Sequence, residues 1–132
     1  MLFRSLLRVD EVGLATVQDG GRWGWAHVGV PVAGAQHRAR CLVATGLILG
    51  RLDERAPAVE LLDGRLVATA RQGVAICVVG PATVEVDGFP AALGAVVAVD
   101  AGSTIRIAPP LVVTEDEVGM LVDAVADALA NP

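Results

Sequence analysis

Apolar and polar positions along the chain follow two rhythms, separated by one long interruption. Leu2 to Val9 alternates imperfectly and predicts an opening strand with Asp10-Glu11 as its exposed end. Leu14 to Gln18 predicts a short second strand that feeds a Gly-rich loop. The period then lengthens. From Gln36 to Leu49, Ala39, Leu42, Val43, Leu47 and Leu49 fall at helical spacing, with Gln36, Arg38 and Arg40 on the other side. Gly46 weakens this helix by about 1 kcal/mol relative to Ala, and Gly50 supplies its stop.

Arg51 to Pro57 reads as a polar connector, and beyond it the two-residue period dominates. Val59–Leu62 and Arg65–Ala70 flank Asp63-Gly64, a hairpin turn signal. Val74–Val79 is a continuous apolar run ending at Gly80-Pro81, the pattern of a strand buried on both faces. Thr83–Val86 alternates up to a second turn signal, Asp87-Gly88. Val96–Val99 and Thr104–Ile107 complete the set, separated by Asp100-Ala101-Gly102. Short strands at this spacing predict a barrel or sandwich. At the end of the chain, Thr114 and Glu117 form a capping box. Val118, Leu121, Val122, Val125 and Leu129 follow as the stripe of an amphipathic helix. The expected organisation is therefore mainly β with some α: a β domain over residues 1–110 with one helix after the Gly-rich loop, and a C-terminal amphipathic helix over 111–132.

Composition narrows the chemistry. At 132 residues the chain is one domain. Apolar content is 54% but aromatic content only 3%, so the core is expected from Val, Leu, Ala and Ile. All ten basic residues are arginine. Without lysine there is neither a Walker-type phosphate loop nor a Schiff base to pyridoxal phosphate. Ten arginines balance ten acids over residues 1–110, and five acids in the tail account for the net charge of −5. Such a body offers no phosphate-backbone surface, so no nucleic-acid partner is expected. No apolar run reaches the ~18 residues of a membrane span, and Arg4 and Arg8 interrupt any signal-peptide core. Cys41 and Cys77 lie in apolar contexts without metal-ligand spacing, so no metal is expected and both read as reduced, buried thiols of a cytoplasmic protein.

The interruption carries the functional information. Gln18-Asp19-Gly20-Gly21-Arg22-Trp23-Gly24-Trp25 combines three glycines, both tryptophans, an amide, a carboxylate and a guanidinium. A turn alone needs far less. Asp19 suits a general base or an amide-positioning group, and Arg22 a carboxylate or phosphate binder. Alternatively, Asp19 caps the loop and pairs with Arg22 structurally. Trp23 and Trp25 suit either stacking on a ligand or closing a barrel mouth. His27 suits proton transfer or a structural role, and His37 falls on the helix's solvated side. Glu60, inside an apolar strand, requires a partner, for which Arg22 and Arg65 are candidates.

The run Ala15-Thr16-Val17-Gln18-Asp19-Gly20-Gly21-Arg22-Trp23-Gly24, with His27-Val28-Gly29-Val30-Pro31 and Gly34-Ala35, resembles the opening of the allophanate hydrolase subunit 2 family. That family includes the C subunit of ATP-dependent 5-oxoprolinase and the carboxyltransferase-like half of urea amidolyase. Ala58-Val59-Glu60-Leu61 and Val78-Val79-Gly80-Pro81 extend the similarity towards Ile107. The resemblance implies a cyclophilin-like β-barrel, a subunit 1 partner that shares the active site, ATP, and a small cyclic-amide or urea-type substrate such as 5-oxoproline. It points to Asp19, Arg22, His27 and Glu60 as catalytic candidates and to Gln18, Trp23 and Trp25 as substrate-binding candidates. Ala33 and His37 stand where the family usually has Ser and Asp, Gly20 replaces a Leu, and the family's second β-rich portion has no counterpart. These departures imply the alternative of a catalytically silent interaction or regulatory module. The tail from Ile105 through Pro109-Pro110-Leu111 to Val118 resembles the close of class III pyridoxal-phosphate aminotransferases. Of their equipment only Arg106 has a counterpart, and the cofactor itself is not expected.

Overall fold

The computed structural model describes residues 5–109, 122–127 and 130. Its elements are β1 (Leu7–Gln18), α1 (Arg38–Leu49), β2 (Ala58–Ala70), β3 (Val74–Ile76), β4 (Thr83–Val86), β5 (Phe89–Pro90), β6 (Val97–Val99) and β7 (Thr104–Ala108). Five strands form an antiparallel sheet in the order β1-β2-β7-β4-β5, and β3 pairs with β6 in a separate sheet. The mainly β character with a helix after the Gly-rich loop agrees with the hydrophobic pattern. The closed barrel does not appear among the described residues. Both sheets are open, β5 spans only two residues, and β3–β6 forms its own sheet instead of bridging the edges.

Two sequence expectations change because β1 and β2 are long and pair throughout. The two predicted opening strands are one. Asp10 and Glu11 lie inside β1 rather than at its end, at a register irregularity. Asp63-Gly64 does not reverse the chain but sits within β2. Its chemistry is that of a turn: Gly64 has φ +75, and Asp63 Oδ1 accepts its N–H at 2.8 Å. The conformation makes an irregularity in the ladder, between Val12↔Leu66 on one side and Ala15↔Leu61 on the other. The backbones come so close here that a Cβ on Gly13 would lie 2.3 Å from the Asp63 carbonyl oxygen. Only glycine fits.

The second Asp-Gly pair behaves as predicted. Asp87 and Gly88 have φ of +52 and +81 and join β4 to β5. Asp87 also latches this turn to β7: its N–H donates to the Thr104 carbonyl at 2.9 Å, and its Oδ1 accepts the Thr104 N–H at 2.8 Å. The apolar run Val74–Val79 is strand only as far as Ile76 and is half-buried rather than enclosed.

The core is thin and free of aromatics. Ala70, Val99 and Ile105 form its centre, with Val74, Ile76, Val86, Val97 and Ile107 packed around them between the two sheets. The small side chains of Ala68 and Ala70 let the layers approach closely. The helix α1 lies against β2 and ends at Gly50, whose N–H bonds the Gly46 carbonyl at φ +71. In the tail, residues 122–127 are helical with exposed side chains, whereas Thr114, Glu117, Val118, Leu121 and Leu129 lie outside the described residues. Among the described residues no helix is long and apolar enough to cross a membrane.

Two outcomes follow from this packing. Gly13→Ala forces β1 away from β2 and is expected to destabilise the fold by about 2–3 kcal/mol in chemical denaturation; an unchanged midpoint would contradict the close crossing. The bond from the Thr104 N–H, aided by the Ser103 hydroxyl, holds the Asp87 carboxyl below its usual range. The stabilisation it gives is fully present above the ordinary carboxylate range near pH ~4 and is lost as pH falls through the lower value in the fold. Asp87→Asn should therefore lower the melting temperature at neutral pH, and the gap to wild type should close below pH ~3.

Candidate functional site

The loop after β1 is held by its own backbone. Asp19 Oδ1 accepts the Gly21 N–H at 2.9 Å, the Asp19 carbonyl accepts the Ala35 N–H at 2.8 Å, and the Arg22 N–H donates to the Val32 carbonyl at 2.7 Å. These bonds fold the loop into two limbs that cross at Gly21 and Gly34. A Cβ on Gly34, where φ is +87, would lie 2.5 Å from the Gly21 nitrogen. Ala33 beside it also adopts a left-handed backbone, with φ +48. Part of the loop's unusual composition is therefore structural, and Asp19 acts as its cap without pairing with Arg22.

Gly20 joins three segments. Its N–H donates to the Glu54 carbonyl at 2.8 Å. Its carbonyl accepts from Trp23 Nε1 at 2.8 Å and from Arg38 Nε at 3.0 Å. The Arg38 guanidinium lies 5.1 Å from the centre of the Trp23 ring and pairs with the Glu54 carboxylate. Trp23 is thus fixed at its nitrogen and on its face, yet it remains more than half exposed.

Beside this hub opens a cleft of about 680 Å³. Asp19, Arg22, Trp23 and Trp25 line one wall and residues 51–55 the other. Within the second wall Arg51 pairs with Asp53 at 3.1 Å, and Asp53 Oδ1 accepts the Arg55 N–H at 3.0 Å. That backbone bond, together with the Arg51 charge, holds the Asp53 carboxyl below its usual range. The guanidiniums of Arg22 and Arg55 make no hydrogen bond or ion pair among the described residues. Two uncommitted guanidiniums and two indoles suit a ligand that has a carboxylate or phosphate on a planar body.

The other candidates lie elsewhere. Gln18 and Glu60 line a second, larger cavity between α1 and the sheet. Glu60 pairs with neither Arg22 nor Arg65. Its two oxygens accept the N–H groups of Gln36 at 2.9 Å and His37 at 3.0 Å, while Arg65 bonds Glu11 at 2.7 Å. His27 is exposed in a 3-10 turn, Ala26–Val28, and lines neither cavity. His37 is the N-cap residue of α1 and makes no side-chain cap bond. Cys41 is buried and Cys77 half-buried, both unpaired, and burial pushes both thiols up. Arg106 stands opposite Glu85 in the sheet and lines neither cavity. No cluster among the described residues has the makings of a metal site.

The sequence reading missed Arg38, Arg51, Asp53, Glu54 and Arg55. The available signal was charge density: four charges within five positions of a supposed connector. What joins that segment to the loop is the backbone bond between Gly20 and Glu54, which leaves no mark in the sequence.

No protein-family model matches the chain, and no curated protein does. Among solved structures it is similar to TTHA0988, at 25% identity and a TM-score of 0.64. The match covers 79% of this chain and 39% of that one, so the chain spans well under half of its structural neighbour.

Proposed function

We propose that the chain belongs with the allophanate hydrolase subunit 2 proteins and contributes the substrate-binding half of a cytoplasmic, ATP-dependent amide hydrolase. The observation that carries this reading is the convergence of Asp19, Arg22, Trp23 and Trp25 with residues 51–55 around one cleft. A carboxylate-bearing lactam such as 5-oxoproline matches it. Arg22 and Arg55 grip the carboxylate, the indoles flank the ring, and the oxygen of Asp19 not held by Gly21 accepts the amide N–H. Ring opening adds water across the amide C–N bond at the expense of ATP. With no lysine in the chain, the nucleotide's phosphates fall to a subunit 1 partner. In this reading the open sheets are part of a cyclophilin-like barrel that is completed by further β structure.

A second reading, a catalytically silent binding module, draws on a different observation. Both oxygens of Glu60 and one of Asp19 are committed to backbone N–H groups, and the Cys41 thiol near both carboxylates is held protonated by burial and by their charge. The two readings agree on the cleft and differ on turnover.

Because the only tryptophans of the chain are in this cleft, intrinsic fluorescence reports its occupancy. Titration with 5-oxoproline is expected to change the emission saturably, with Arg22→Ala and Arg55→Ala each weakening binding roughly ten-fold. No saturable change in a folded sample would sink the ligand assignment. In a complex with the subunit 1 partner and ATP, Asp19→Asn and Arg22→Ala should cut 5-oxoproline turnover while assembly persists. Unchanged turnover, or none in the wild type, would favour the silent module.

A further inference from the structure

The larger cavity has a different chemistry from the cleft, and nothing in the amide reading uses it. It occupies about 720 Å³ between α1 and the sheet, a volume typical of sites that take one organic ligand. Ile48 and Leu49 of α1, Leu66 of β2, Ile76 of β3 and Ile105 and Ile107 of β7 form its walls. Two polar side chains of α1 at it, Thr45 and Cys41, are already satisfied or inert. Thr45 Oγ1 donates to the Cys41 carbonyl at 2.9 Å, and the Cys41 thiol lies 3.9 Å from the Gln18 carbonyl. The Ile and Leu walls therefore suit an alkyl body.

One charged group at this cavity is uncommitted. Arg40, in the first turn of α1, lines it and makes no hydrogen bond or ion pair among the described residues. Its stem is braced by the Gly80-Pro81 segment: a Cβ on Gly80 would lie 3.5 Å from Arg40 Cδ and 3.6 Å from Nη1. The acids of the same cavity do not reach it. Glu60 is bound by the Gln36 and His37 N–H groups, and Asp63 by the Gly64 N–H.

We infer that this cavity binds an aliphatic carboxylate, its chain among the Ile and Leu walls and its carboxylate on the Arg40 guanidinium. The apolar walls exclude a small hydrophilic anion, and the unpaired guanidinium distinguishes a carboxylate from a neutral chain of equal length.

Calorimetric titration of the full chain tests this, with dodecanoate as probe and dodecanol as its neutral counterpart. Dodecanoate should bind one to one and more tightly than dodecanol. Arg40→Gln should weaken dodecanoate roughly ten-fold and leave dodecanol unchanged. Ala44→Phe, which fills the cavity from α1, should weaken both. Circular dichroism establishes that each variant is folded. Absence of dodecanoate binding to the folded wild type would overturn the inference. So would equal affinity for the two probes, or an Arg40→Gln affinity equal to wild type. None of these outcomes bears on 5-oxoproline at the tryptophan cleft, so the two assignments stand or fall separately.

Discussion

The bond on which most of the site depends is the pair of N–H groups that Glu60 accepts at the start of α1. This helix begins badly on its own account. His37 makes no side-chain cap, there is no acid in the first turn, and Arg38 and Arg40 place positive charge at the positive end of the dipole. A carboxylate arriving from β2 satisfies two orphan donors and offsets that charge, an effect worth about 1 kcal/mol or more. It also fixes where the helix starts. Arg38 then reaches Gly20, Glu54 and Trp23, and Arg40 stands at the second cavity. A strand residue that reads as a candidate catalyst thus positions both cavities.

The loop obeys a similar economy. Its shape comes from backbone groups and one carboxylate, with no regular structure beyond a three-residue 3-10 turn. The crossing of Gly21 and Gly34 keeps the limbs in contact, so the side chains of Arg22 and Trp25 need not contribute to holding them. Side chains released from structural duty are the ones a ligand can use. Asp19 is the exception: one of its oxygens closes the loop while the residue still lines the cleft.

What the sequence made legible was local. Gly50 as the helix stop, Asp87-Gly88 as a turn and the alternation of Thr83–Val86 all depend on residues within a few positions of one another. Asp63-Gly64 shows the limit. Its backbone preference was read correctly, but the choice between a reversal and an irregularity inside a strand was made by β1, which pairs on both sides of it. The single long β1 was hidden for the same reason, because Asp10, Glu11 and Gly13 break the alternation that the pairing tolerates. Most of the loop residues named as candidates do gather at one cleft. Glu60, Gln18 and His27 do not, since their positions follow from β2, the far face of β1 and the 3-10 turn. The Arg51–Arg55 wall was invisible because a connector's charges reveal nothing about which loop they will face.

The region that carries both cavities is also the least supported part of the sheet. β7 pairs with β2 only over Leu66–Thr69, so the earlier half of β2 pairs with β1 alone among the described strands. Two-stranded ribbons are marginal by themselves. Val17 and Val59, paired across this ribbon, are 70% and 60% exposed. A surface of this kind gains most from what binds to it, because any ligand or partner selective for the folded state adds stability by mass action. The ribbon joins the end of β1, where Asp19 and the tryptophan cleft begin, to Glu60, which holds α1 over the second cavity. Order imposed on either side passes through the same few paired residues. The thin core is therefore a physical reason for binding and folding to be coupled in this chain, whichever chemistry occupies the cleft.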